Sequence, residues 1–443
     1  MRPIKLALIG LLVVMSALWV LAEPGFVDAR GVFGIRTFAV QYSGVLAMSV
    51  MSAAMILALR PRWPERWLGG LDKMYRLHKW LGITGLVVAI IHFLWAKGVK
   101  WATGFGLLER PPRGPRPEIT APIEAAFRSL RGTAEGLGEW AFYGAVVLIA
   151  IALIPAISYW FFRKTHKLIA IAYLVLVFHA TILLNFGNWT SPLGIVMAIL
   201  LAGGTYSAVM VLLGRVGADR KATGTIARLT PFPGVKSLGV VLDVPDGWAG
   251  HTPGQFAFAT SSPSEGPHPY TIASAWDPAH PQITFVTKEL GDHTRRLREK
   301  LRVGQKVTIE GPYGCFTFDD DRPQIWVGGG IGITPFLARM NALAGRSGGP
   351  EIHLFQSTAE VDADAIARIE EAARAAGVHL HLIVSGRDAR LTADSIIDAV
   401  PHWREASVWF CGPAGFGRAL KTGFAARGLP VQAQFHQELF EMR

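Results

Sequence analysis

Two cysteines, Cys315 and Cys411, are all that the 443 residues contain. Two thiols cannot hold a four-thiolate iron–sulfur cluster or a disulfide framework, so electrons moved by this chain would need organic cofactors or haem. Acidic residues are also few, 33 against 44 Lys and Arg, which leaves a net charge of +11. A positive excess can serve a nucleic-acid or acidic partner. Here many of the basic residues flank apolar runs, where they set membrane orientation instead, and no nucleic-acid partner is expected. Charged residues make up only 17% of the chain and apolar residues 51%. Nearly all the long apolar runs fall before about residue 215. The length allows two or three domains, so the first expectation is a membrane half followed by a soluble half.

Six apolar segments approach the ~20 residues that cross a bilayer: Leu6–Ala22, Thr37–Leu59, Leu77–Ala96, Trp140–Phe162, Leu168–Leu184 and Leu193–Leu213. The first has Arg2 and Lys5 before it and Val20-Leu21-Ala22 at its end, but is long for a signal core and reads as a retained helix. Arg60, Arg62, Arg66, Lys73, Arg76 and Lys79 crowd one short link, the link Arg163–Lys167 is basic, and Arg215, Arg220 and Lys221 follow the sixth segment. The segment Asn185–Pro192 has no charge, and the long link Lys97–Glu139 is mixed. Positive loops stay inside, so an integral protein of a bacterial-type inner or plasma membrane, with both termini cytoplasmic, is expected.

Four histidines stand out in this half, His78 and His92 on the third segment and His166 and His179 on or beside the fifth. Ionisable groups inside membrane helices are costly and usually face the bundle interior, and neutral imidazole is an axial ligand of haem iron. The steps of fourteen and thirteen residues each rise about 20 Å. Both segments run outward, so His78 is level with His166 and His92 with His179, which suits two bis-histidine haems stacked across the membrane. The phases differ. Fourteen residues fall about 40° short of whole turns and thirteen about 140° short, so the fifth helix needs a π-bulge or a bend, or ligands aimed at differently placed haems. Interhelical hydrogen bonding is the competing reading of these rings.

From about Ala222 the texture becomes short alternating strands with Pro and Gly turns. Ser237–Leu242, Gln255–Thr260, Gln282–Thr287 and Lys306–Ile309 read as an antiparallel barrel or sandwich ending near Asp321. From Pro323, strands Ile325–Val327, Glu351–Phe355, Val378–Val384 and Ser407–Phe410 alternate with helices Pro335–Ala344, Ala363–Ala375 and Gly415–Ala426, a doubly wound α/β pattern. Gly328-Gly329-Gly330-Ile331-Gly332 follows a strand and opens a helix, where glycine lets backbone N–H groups approach a pyrophosphate. The expected domains are 1–217, a six-helix transmembrane bundle; 218–321, the antiparallel barrel; and 322–443, the α/β domain.

His268-Pro269-Tyr270-Thr271-Ile272-Ala273-Ser274 resembles the flavin motif of ferredoxin–NADP reductase-like domains. Gly291-Asp292-His293-Thr294, Gly311-Pro312-Tyr313-Gly314, the glycine-rich turn, Cys411-Gly412-Pro413 and a C-terminal aromatic follow in the family's order. With the histidine pairs, nearly the whole chain resembles the ferric reductase and NADPH oxidase superfamily. The resemblance implies FAD, two haem b groups and NADPH or NADH. It implies that Tyr270 packs on the flavin ring and Thr271 hydrogen-bonds near its N5. Pro269 and Ser274 belong to the same motif, and His268 stands where relatives often have Arg at the flavin pyrophosphate. Gly291 and Thr294 would bind those phosphates, and Gly329, Gly330, Thr334 and Pro335 would form the nicotinamide-dinucleotide cradle. Cys411 and Gly412 would lie near the nicotinamide, with a small buried residue as the alternative for Cys411. Phe440 would shield the flavin ring or act as a plain anchor. Ser385, Arg387 and Arg390 stand where relatives bind a 2′-phosphate, which favours NADPH. Oxidases of this family carry an Arg near the outer start of the second helix, matched by Arg36, and a His four residues beyond the outer third-helix ligand, where this chain has Ala96. The acceptor stays open between O2 giving superoxide, ferric iron, a quinone and a periplasmic redox partner. A membrane-anchored flavin reductase, or an electron-donor subunit serving a quinone or periplasmic redox partner, is the alternative function.

Overall fold

A computed structural model describes residues 2–109, 121–263, 265–346 and 348–438, the side chains of residues 159, 292 and 293 excepted. The chain divides into two compact units between Val216 and Gly217.

The first unit is helical: α1 Arg2–Ala22, α2 Gly31–Ala58, a single turn α3 Glu65–Leu68, α4 Leu71–Gly104, α5 Pro122–Leu153, α6 Tyr159–His166, α7 Leu168–Leu183 and α8 Pro192–Leu212. Six spans among the described residues are long and apolar enough to cross a membrane, with α6 and α7 sharing one, Trp160–Leu183. Met15, Trp19, Tyr173, Leu193 and Met197 pack the interior. Leu6, Val13, Leu94, Val147, Ile171 and Ile199 are exposed on the outside. So much outward apolar surface is stable only against acyl chains, and the protein is integral to a membrane.

The fourth span differs from the expected Trp140–Phe162, and the expected link Lys97–Glu139 is largely helix. The α5 helix starts at Pro122, whose missing N–H costs nothing in the first turn. It stops at Leu153 because Ile154 precedes Pro155 and is held extended, at φ −84° and ψ 110°. Five of the charges in that link lie on helical faces and pair there: Lys97 with Glu139 at 2.5 Å, and Arg131 and Lys100 with Glu135 at 3.1 and 3.7 Å. The bulge or bend expected of the fifth helix is an interruption at Lys167, a turn residue between α6 and α7 whose backbone stays near helical values at φ −61° and ψ −28°.

The second unit opens with β1 Lys221–Phe232, β2 Ser237–Asp243, β3 Phe256–Thr260, β4 His268–Thr271, β5 Gln282–Lys288, α9 Asp292–Lys300 and β6 Lys306–Tyr313. The strands form an antiparallel sheet in the order β4-β3-β6-β1-β2-β5, which closes around Ile226, Leu242, Ile272, Ile283 and Ile309. Then β7 Gln324–Gly329, α10 Thr334–Leu343, β8 Ile352–Thr358, α11 Ala363–Ala375, β9 His379–Val384, α12 Ala393–Ala399, β10 Ser407–Cys411, α13 Ala414–Ala426, α14 Val431–Gln434 and β11 Phe435–Gln437 complete the chain. This sheet is parallel, in the order β11-β10-β7-β8-β9. The expected architecture of a helical membrane bundle, a flavin-binding β domain and a nucleotide-binding α/β domain is the one found.

Candidate functional site

In the membrane unit the four histidines meet in two couples. The ring centroids of His78 and His166 are 5.9 Å apart, and those of His92 and His179 are 6.2 Å apart. Two imidazoles facing each other across one metal, each bonded at about 2 Å, have centroids about 6 Å apart. Three of the rings are also fixed in tautomer. Nδ1 of His78 lies 2.9 Å from the Ala54 carbonyl, Nδ1 of His92 lies 3.1 Å from that of Val40, and Nδ1 of His179 lies 2.8 Å from that of Ala134. A carbonyl can only accept, so Nδ1 carries the proton, and Nε2 keeps a lone pair for a metal. Nδ1 of His166 is buried without a partner, and Phe162 packs on that ring at 4.9 Å.

Helices α2 and α5 make room for these bonds. A Cβ on Gly44 would come within 3.3 Å of the His92 ring, and one on Gly138 would overlap the His179 ring. Each glycine stands four residues beyond the carbonyl that its histidine reaches, where a side chain would cover that oxygen. Val40 and Ala54 are fourteen residues apart on α2, the same step that separates His78 from His92 on α4. The break at Lys167 lies between His166 and His179 and lets a thirteen-residue step present both rings to α4. These residues fit a haem at each level. Between the couples, Tyr173 is fully buried, its hydroxyl 2.8 Å from Ser52 Oγ. At the His92 end, the Arg36 guanidinium donates to the carbonyls of Trp95 and Ala96 at 3.1 and 3.0 Å.

In the second unit, β4 carries His268, Pro269, Tyr270 and Thr271 along β3. Tyr270 is half-buried with its ring 5.9 Å from that of Phe285, and burial raises its phenol pKa. Ser274 Oγ accepts the Thr284 N–H at 3.0 Å. The Ser274 carbonyl accepts Nε2–H of His251 at 2.9 Å, and Trp248 Nε1–H donates to His251 Nδ1 at 3.3 Å. Sequence reasoning missed His251, which braces the flavin-motif loop in its neutral form and carries no motif of its own. The Thr294 hydroxyl is engaged in capping its own helix: it accepts from the N–H groups of Leu290 and Gly291 at 3.0 and 3.1 Å. That leaves the backbone N–H groups at the start of α9, rather than this hydroxyl, as the donors the turn can offer an anion.

The glycine-rich turn closes on the end of β10. A Cβ on Gly332 would overlap the Cys411 carbonyl, and one on Gly329 would meet Pro413 at 2.8 Å. Gly330 has φ +56°, and Gln356 Nε2 donates to its carbonyl at 2.9 Å. Thr334 is buried and spends its hydroxyl on the Ile331 carbonyl at 2.6 Å, while Pro335 opens α10 without needing an N–H. Gly412 touches Gly329 across this seam. Cys411 is buried, and its thiol pKa is raised well above the ordinary value by burial, with nearby Glu438 adding to the effect; the sulfur stays protonated. Glu438, itself buried, also escaped the sequence reading. Phe440 lies outside the described residues. The turn lies beside a cleft of about 470 Å³, lined by Gly330, Ile331, Gln356, Thr358 and Glu360 with Arg228 and Ser237. Glu360 bridges Lys236 and Lys288 at 2.8 and 2.7 Å, which lowers its pKa to about 2. After β9, Ser385, Arg387 and Arg390 are exposed. Arg387 forks onto Asp388 at 3.0 and 2.8 Å, and Asp388 accepts the Val384 N–H at 2.8 Å.

Burial holds the His251 pKa below 6.5. The unfolded chain therefore takes up that proton first, so this contribution to stability is complete above about pH 6.5 and is lost as the pH falls below it. Melting of the reductase unit, followed by flavin fluorescence, is expected to weaken on acidification through that window. His251→Gln is expected to remove part of the slope; an unchanged slope would show that His251 does not carry it.

Residues 43–177 match the family described as ferric reductase like transmembrane component, and residues 236–317 match an FAD-binding domain. A flavohemoprotein of Deinococcus radiodurans is 27% identical over 185 residues, covering 38% of this chain and 45% of that protein. The respiratory burst oxidase homolog protein E of Arabidopsis thaliana is 27% identical over 222 residues, 43% of this chain and 22% of the oxidase. An NADPH oxidoreductase of Mycobacterium tuberculosis is 32% identical over 141 residues, 30% and 37% of the two chains. The chain spans about half the length of the first curated relatives it matches. A ferric reductase-like transmembrane domain ahead of ferredoxin–NADP reductase-like flavin and nucleotide domains is the arrangement of the ferric reductase and NADPH oxidase superfamily of NAD(P)H-dependent flavin oxidoreductases, which the likeness to the Arabidopsis oxidase supports.

Proposed function

We propose that the chain carries electrons across the membrane, from NAD(P)H through FAD and two b-type haems to an acceptor on the far side. The observation that supports this most is the pair of facing imidazole couples, His78 with His166 and His92 with His179, at a spacing suited to one metal each. The cofactors supply hydride acceptance and one-electron transfer; the chain supplies position, tautomer and a dry path. In this reading 1–217 is the haem domain, 218–321 the FAD domain and 322–443 the NAD(P)H domain. The basic segment from Arg60 to Lys79 puts the His78 end and both termini on the cytoplasmic side.

Within the reductase unit, Tyr270 packs on the flavin and Thr271 stands near the atom that receives hydride. Pro269 and Ser274 hold that loop. His268, Gly291 and the start of α9 bind flavin phosphates, with Thr294 shaping the turn. Gly329, Gly330 and the turn that Thr334 and Pro335 hold bind the dinucleotide pyrophosphate. Gly412 and Cys411 border the nicotinamide, Cys411 as a neutral thiol, and Phe440 covers the flavin face. Ser385, Arg387 and Arg390 take the adenosine side and favour NADPH, Asp388 holding the Arg387 fork in a fixed plane. At the far end Arg36 keeps a positive charge one turn beyond His92, which suits O2 giving superoxide or an anionic ferric chelate.

A reduced-minus-oxidised spectrum of the purified protein is expected to show six-coordinate haem at about two per chain. His92→Ala and His179→Ala should each remove one of the two, and a spectrum without haem sinks the proposal. Arg36→Ala should slow acceptor reduction about tenfold, the scale of one charge-assisted hydrogen bond, with flavin reduction by NADPH unchanged; stopped-flow absorbance separates the two steps. Arg387→Ala should raise KM for NADPH about tenfold and leave that for NADH unaltered; equal changes for both would place the 2′-phosphate elsewhere.

A further inference from the structure

One cluster of ligand-type side chains is not used by the electron path. Glu351 precedes β8, His353 is the second residue of β8, and His379 and His381 lie on β9, the edge strand. The parallel register sets His353 opposite His379 and Phe355 opposite His381. Alternation along a strand puts all four of these residues on one face of the sheet. The His353 ring stacks on that of His379 at 4.8 Å, and the His381 ring stacks on Phe355 at 4.3 Å. One ligand atom from each of Glu351, His353 and His379 lies within 4.8 Å of the others. His353 Nε2 is 3.0 Å from Glu351 Oε1, and His353 Nδ1 is 3.1 Å from His381 Nε2.

We propose that Glu351, His353 and His379 bind a divalent d-block cation, with His381 positioning His353. Two imidazoles and a carboxylate form a donor set that takes zinc or a neighbouring transition ion over magnesium or calcium. Tetrahedral bonds of about 2 Å place ligand atoms about 3.4 Å apart. The Glu351–His353 gap is already near that value, and His379 has to close the remainder. His379 is exposed and free to adjust, as is the Glu351 carboxylate, whereas His353 is only 9% exposed and its ring is held by packing. The Glu351 backbone is anchored, its carbonyl accepting the Gln324 N–H at 2.8 Å.

The hydrogen bonds fit both states. Without a cation, His353 Nε2–H donates to Glu351, and His353 Nδ1 accepts from His381 Nε2–H. With a cation on Nε2, the proton sits on Nδ1 and is donated to His381 Nε2, the arrangement that fixes most metal-bound imidazoles. Each ring changes tautomer and neither loses a proton overall.

The cluster is at the starts of β8 and β9, whereas Gly329 ends β7 and Ser385 follows β9, both at the opposite end of the parallel strands. Six residues of β9 separate the two ends by about 20 Å. The cation is therefore a staple that ties the edge strand to its neighbour, remote from the nucleotide. The inference holds whether or not the histidine couples of the membrane unit bind haem.

The test is equilibrium dialysis of the full-length protein in detergent against buffered Zn²⁺, with bound metal measured by mass spectrometry. Wild type is expected to hold one zinc more per chain than His379→Ala or Glu351→Gln, both changes being at exposed side chains. Wild-type flavin absorbance in either variant shows that the fold is retained. His381→Phe keeps a ring to stack on Phe355 but loses the bond to His353, so zinc should bind with unchanged stoichiometry and about ten- to a hundredfold lower affinity. An equal concentration of Mg²⁺ should leave the zinc in place. Equal zinc content and affinity in wild type and both exposed-residue variants would overturn the proposal, as would displacement by Mg²⁺.

Discussion

An imidazole inside a lipid-facing bundle must satisfy two ring nitrogens where no water is at hand. That requirement organises the first half of the molecule. Three of the four rings give their Nδ1 proton to a main-chain carbonyl of a neighbouring helix, and each ring faces its partner across a gap of one metal's width. A helical carbonyl already holds a hydrogen bond from its own helix, so a second donor can reach it only where the surface beside it is bare. Gly44 and Gly138 bare that surface for His92 and His179. The matched fourteen-residue steps on α2 and α4 follow from two helices running side by side, one offering oxygens and the other rings.

The reductase half relies on glycine differently. Gly329 and Gly332 are required by closeness, since their missing Cβ atoms leave space for Pro413 and the Cys411 carbonyl. The turn is thereby locked against the end of the neighbouring strand. The hydroxyls of Thr294 and Thr334, which resemblance assigned to phosphates, are spent within their own turns. Each shapes a helix start, and in the function proposed here anion binding at such a place falls to backbone dipoles rather than to the side chain.

Some of this was legible from one-dimensional pattern and some was not. The apolar runs located all six spans, but the fourth helix begins at Pro122, well before its apolar run, in a stretch of mixed charge. Some of those charges are neutralised in pairs such as Lys97–Glu139, which requires two helices to lie together. The irregular phase of His166 and His179 was readable as arithmetic that calls for a bulge or bend, but its place at Lys167 was not. His251 and Glu438 left no trace in the sequence, because their importance comes from what faces them: a tryptophan and a carbonyl for the first, a buried thiol for the second.

Local chemistry and periodicity in the sequence alone determined the membrane half, the order of the domains, the two levels of histidine and the glycine-rich turn, since each depends on residues near one another in the chain. Tertiary structure alone decided which carbonyls hold the rings, that the Thr294 and Thr334 hydroxyls are spent within their own turns, and that Glu351, His353 and His379 come together. Those outcomes depend on helix pairing and strand register, and contacts between distant segments have no signature in a single sequence.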